Sequence, residues 1–147
     1  MVRRIYSIVI QKPENFIRGA AQVVEYYGAW PTFHDADYVT ILIEMDGPNI
    51  SIRFQLYDWD DAAQKANRPN ISLCWHEVED LSLKGIQELG QNAIGQMQIT
   101  KDGDGINTLI QTTWDGTNAS FRAKSVEVTH FDPHEEWDYE TRNTAFN

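Results

Sequence analysis

Tyr38-Val-Thr-Ile-Leu-Ile-Glu-Met-Asp-Gly-Pro-Asn-Ile-Ser-Ile-Arg-Phe-Gln-Leu56 decides the fold. In its first half Val39, Ile41, Ile43 and Met45 alternate with Tyr38, Thr40, Leu42 and Glu44. Period two is the signature of a strand with one buried face. Asp46-Gly-Pro-Asn49 supplies turn chemistry, and Ile50, Ile52, Phe54 and Leu56 then alternate with Ser51, Arg53 and Gln55. Two alternating runs joined by a turn predict an antiparallel hairpin.

Further strand signals occur at 3–10, 71–78, 81–84, 96–101, 106–114 and 119–130. Turns at Asp102-Gly-Asp-Gly105 and Asp115-Gly116 separate the later ones. Upstream, Pro13 suits a helix start. Phe16, Ile17, Ala20, Ala21, Val24 and Tyr27 then step by three and four, predicting a helix over 14–27 with Gly28 as its C-cap. The polar run 59–70 reads as a mobile loop, and the glycine-containing stretch 85–95 as an irregular connection or a short helix. The expected class is α+β, mainly β: an antiparallel sheet, sandwich or half-barrel of about seven to eight strands, with one N-terminal helix packed on it. Residues 1–131 are expected to form one domain and 132–147 an acidic C-terminal tail.

The chain has 147 residues, a formal net charge of -10 and 12% aromatic residues. That length supports a core without disulfides, and Cys74, the single cysteine, forbids an internal one. Cys74 reads as a small, buried or half-buried strand residue of a reducing compartment, with His76 nearby by coincidence. The acidic balance disfavours nucleic acid and anionic membrane surfaces. The apolar run after the basic start, Ile5–Ile10, is too short for a signal peptide, and no run approaches a membrane span. A cytoplasmic protein is expected, either a monomer or a weak homodimer.

Of the motifs that carry chemistry, His34-Asp35-Ala36-Asp37 is the most suggestive. Two carboxylates on one strand face beside an imidazole suit a divalent cation or hydrolysis. Without a further ligand, the expected reading is a structural corner with a buried His34 ring. Asp102-Gly-Asp-Gly105 resembles a calcium loop but lacks its distal glutamate and flanking helices, so a hairpin turn is expected. There is no serine elbow, phosphate loop or zinc-protease motif. No catalytic residue, metal or cofactor is therefore expected. Trp59, Asp60, Asp61, Glu77, Glu79, Asp80, Glu135, Glu136, Trp137 and Tyr139 are candidates for contact with a partner, because they combine acidic charge with aromatic anchors.

Several stretches together carry a resemblance: Trp30-Pro-Thr-Phe-His-Asp-Ala-Asp37, Val78-Glu-Asp-Leu-Ser-Leu-Lys-Gly85, Gln91-Asn-Ala-Ile94 and Phe121-Arg-Ala-Lys-Ser-Val-Glu-Val128. Over about residues 14–131 the chain resembles the immunity protein 50 family, bacterial antidotes to secreted polymorphic toxins. The polar run 59–70 and the acidic tail depart from the family pattern. The resemblance implies a non-catalytic protein that binds a cognate toxin, a basic one on charge grounds. It also implies that Trp30, Pro31, Phe33, His34, Asp35, Asp37 and Asn92 serve as structural motif residues. Two rivals are an enzyme centred on His34, Asp35 and Asp37, and a module that self-associates through a strand edge.

Overall fold

The structure is a computed structural model and describes residues 11–86, 92–113 and 116–134. The expected strand at 3–10, residues 87–91, Trp114, Asp115 of the expected Asp115-Gly116 turn, and the chain beyond His134 lie outside the described residues. Within them the order is a 3-10 turn (Pro13–Asn15), β1 (Ile17–Arg18), α1 (Ala20–Tyr27), β2 (Asp37–Glu44), β3 (Asn49–Gln55), β4 (Asp58–Asp60) and β5 (Lys65–Asn67). Then follow β6 (Asn70–His76), β7 (Glu79–Lys84), β8 (Ile94–Asp102), β9 (Gly105–Thr112), β10 (Asn118–Ala123) and β11 (Ser125–Asp132).

These strands form a five-stranded sheet in the order β1-β11-β6-β3-β2, a four-stranded sheet in the order β7-β10-β9-β8, and the small β4-β5 ribbon. Among the described strands only β1 and β11 run parallel. The mainly β class, with several antiparallel sheets and one helix, is as the alternating runs imply.

The core lies between the two larger sheets. Ile50, Ile52, Phe54, Leu73, Trp75 and Val126 of one share a cluster with Ile94, Ile106, Ile110, Ala119 and Phe121 of the other. Trp75 meets Phe121 edge-on, ring centroids 5.1 Å apart, and is fully buried. β3 follows its sequence pattern residue for residue: Ile50, Ile52 and Phe54 are buried while Ser51, Arg53 and Gln55 are half-buried. α1 lies against β11, where Tyr26 contacts Phe131 edge-on at 5.8 Å.

Four expectations are corrected. Only Ala20–Tyr27 is α-helical, not the whole of 14–27. Ile17 is buried by pairing with Val126, so a residue that fits the helical stripe belongs to a strand. Gly19, at φ 79°, then swings the chain from β1 into α1, a left-handed conformation that glycine adopts without steric cost. Gly28, at φ 81°, caps the helix as expected and donates its N–H to the Val24 carbonyl.

Second, β2 changes phase. Tyr38 pairs with Phe54, yet Thr40 pairs with Arg53, so a bulge at Val39 sits between them. The extra residue puts Tyr38 on the core face with Ile41 and Ile43. Met45 is exposed beyond the end of the strand. Third, the run 59–70 is not a loop throughout: it holds most of a small β4-β5 ribbon, with Trp59 opposite Ala66 and Asp60 opposite Lys65. Three-residue strands are too short to show a period. Fourth, the closing run 119–130 divides at Lys124 into β10 and β11, which lie in different sheets. That division, with β1, β4 and β5, accounts for the larger number of strands.

Candidate functional site

The corner Trp30–Asp37 leaves α1 and enters β2. Phe33 (φ 62°) and Asp35 (φ 63°) both adopt the left-handed conformation that side chains disfavour. Asp tolerates it; a bulky Phe does so only where packing and hydrogen bonds overdetermine the backbone. Here they do. Phe33 is buried edge-on against Phe54 at 5.1 Å and lies beside Trp30 at 5.8 Å. The Ala36 N–H closes a turn onto the Phe33 carbonyl, the Asp35 N–H donates to the Ile94 carbonyl at 2.8 Å, and the Ile94 N–H returns to the Ala36 carbonyl at 2.7 Å. The corner is thereby stapled to the start of β8.

Two sequence expectations change at this corner. The His34 side chain is 62% exposed, not buried, although its Nδ1 does donate to a backbone carbonyl, that of Gly95, at 3.1 Å. Asp35 and Asp37 do not share a strand face, because β2 begins only at Asp37. Asp35 stays near the His34 ring at 3.7 Å, whereas Asp37 pairs with Arg68. The trio therefore does not converge on one point. Pro31, Thr32 and His34 form a ridge between a cleft of about 160 Å³, bounded by Tyr27 and Tyr57, and one of about 510 Å³ running along β8.

Arg68 links the corner to the β4-β5 ribbon, a role sequence reading missed. Its guanidinium donates to Asp37 Oδ2 and lies 5.5 Å over the Tyr57 ring. No local signal marks this residue, since its partners lie eleven and thirty-one positions away in sequence. Beyond it the ribbon organises itself. Asp60 Oδ1 accepts the N–H groups of Ala62 and Ala63, capping the turn. Asp61 Oδ1 accepts the Trp59 indole N–H at 2.9 Å, so a half-exposed indole is held in place. Asp58, Asp60 and Asp61 make no ion pair among the described residues. Nearby, burial first, then Tyr26 and Asp58, push the Tyr27 hydroxyl well above the ordinary tyrosine range.

The other acidic candidates sit elsewhere. Asn49 and His76 mark one end of the β3-β6 ladder, Gln55 and Asn70 the other. Glu77 and Val78 belong to the first end, where their N–H groups meet the Asn49 side chain and the Pro48 carbonyl. The ribbon belongs to the second, about 20 Å away at the usual strand rise. Charge at the first end is partly neutralised: Glu77 pairs with Lys124 at 3.5 Å and Glu79 with Arg122 at 3.7 Å. Asp80 adopts a left-handed conformation at φ 56°. Asn92 accepts the Thr117 N–H. Glu135, Glu136, Trp137 and Tyr139 lie outside the described residues.

Asp102-Gly-Asp-Gly105 joins β8 to β9 with Asp102 opposite Gly105, a hairpin turn as expected. Its acidic groups face a protein cation. Arg122 donates to the Asp102 carboxylate at 3.2 Å and to the Asp102 carbonyl at 2.8 Å. No described helix is long and apolar enough to cross a membrane.

A family model described as immunity protein 50 matches residues 19–134, a span that includes the corner, the ribbon and, apart from β1, both larger sheets. No curated protein and no solved structure matches the chain.

Proposed function

The chain belongs to the immunity protein 50 family, and on that footing we propose that it binds and neutralises a cognate bacterial toxin without chemistry of its own. The binding face in this reading is the end of the molecule formed by the His34-Asp35 corner and the β4-β5 ribbon. The observation that carries it is Trp59. An exposed tryptophan fixed by Asp61 and flanked by carboxylates that make no ion pair among the described residues is a preorganised anchor, because little rotamer freedom remains to be lost on binding. Tyr26 and Tyr57, each more than two-fifths exposed, add apolar area to the same end. The carboxylates favour a basic toxin, for which charge complementarity raises the association rate and makes it salt-dependent.

The dispersed positions of His34, Asp35 and Asp37 supply no convergent set of groups for hydrolysis. The reading is tested by producing the chain together with its cognate toxin. Protection of cells and a stable 1:1 complex are expected. A toxin that stays lethal, with no complex on sizing chromatography, would contradict it.

A further inference from the structure

We propose that Cys74, His76 and Glu127 form a site for one thiophilic divalent cation, with Zn²⁺ as the type, on the outer face of the five-stranded sheet. This rests on strand register and is independent of how the toxin is bound.

Leu73, Trp75, Val126 and Val128 point into the core, so the residues between them point out. Cys74 and His76 therefore share the outer face of β6. In the β11 ladder Glu127 stands directly opposite Cys74 and diagonal to His76. His76 Nε2 and Glu127 Oε1 are 2.8 Å apart, and the three ligand atoms all lie within 4.8 Å of one another. β6 is the middle strand of five, with a full ladder on each side, so the ligand backbones are held fixed.

The donor set is a thiolate, an imidazole and a carboxylate. Zinc accepts all three, at bonds of about 2.0–2.3 Å in tetrahedral geometry, which places donor atoms about 3.3–3.6 Å apart. Closing the present arrangement around an ion needs side-chain shifts of about an ångström or less, and His76 and Glu127 part by about half an ångström. Mg²⁺ and Ca²⁺ prefer oxygen donors and gain nothing from the thiolate. His76 and Glu127 are partly open to solvent, leaving room for a fourth ligand such as water. The cation replaces the thiol proton, which is released to solvent. Arg18 reaches Glu127 at 3.8 Å from a side chain that is 80% exposed, so it swings away easily.

The test uses the untagged full chain, stripped with a chelator and titrated with Co²⁺ and with Zn²⁺. One cation per chain is expected, with a thiolate-to-cobalt charge-transfer band. That band is lost in Cys74→Ser. Zn²⁺ affinity falls at least tenfold in His76→Ala and in Glu127→Gln, and rises in Arg18→Ala, with circular dichroism reporting that each variant is folded. Wild-type chain that shows no charge-transfer band at saturating Co²⁺ overturns the proposal without recourse to any variant. So does Zn²⁺ binding of undiminished strength in folded Cys74→Ser.

Discussion

Arg68 holds Asp37 by a charged hydrogen bond while its guanidinium covers the Tyr57 ring. One side chain thus joins the first residue of β2 to the base of the β4-β5 ribbon, and the corner to the proposed anchor Trp59. A planar fork does both jobs; an ammonium does neither as well. Arg68→Ala is expected to lower the unfolding free energy by about 1–2 kcal/mol in urea titration. Arg68→Lys should recover less than half of the loss. Full recovery by lysine would show that charge alone matters there.

His34 carries a smaller structural load than its place in the motif implies. Its ring is mostly solvated and makes one hydrogen bond, to Gly95. His34→Ala should change stability by no more than about 0.5 kcal/mol, as exposed positions generally do. A loss above about 2 kcal/mol in the same titration would mean that the ring braces the corner.

Tyr38 governs the alkaline limb. Burial raises its hydroxyl well above the ordinary tyrosine value near 10. Above pH of about 10 the unfolded chain gives up this proton while the folded chain keeps it, so the folded state binds more protons and stability falls as pH rises. Below that pH the contribution is intact. Tyr38→Phe should flatten the fall in unfolding free energy between about pH 10 and 12, leaving the part due to Tyr27. At neutral pH the variant should stay within about 1 kcal/mol of wild type, because the hydroxyl has no hydrogen-bond partner among the described residues. An unchanged alkaline slope would contradict this assignment.

Legibility in the sequence followed the range of the forces involved. β3, the core half of β6 and the helix cap at Gly28 were readable, because alternation and capping are local properties. Ile17 misled, since burial against Val126 in a parallel pair imitates one step of a helical stripe. The bulge at Val39 was hidden because nothing in the residues of β2 announces a two-against-one pairing. At the candidate site, the corner stood out by residue type alone. Its link to the ribbon through Arg68 did not, and neither did the place of Glu127 beside Cys74 and His76. Both depend on register between strands remote in sequence.

The proposed placement of the toxin is at the ribbon end and not at the Glu77 end. It is tested most directly by measuring toxin affinity for two charge-neutralised variants, Asp60→Asn/Asp61→Asn and Glu77→Gln/Glu79→Gln, beside Trp59→Ala. Asparagine preserves the turn-capping and indole-accepting oxygens, so folding should be unaffected. At least a tenfold weakening is expected for Trp59→Ala and for the ribbon pair, steepest at low salt, and less than twofold for the Glu77 pair. The reverse order, or full affinity in Trp59→Ala, would contradict it.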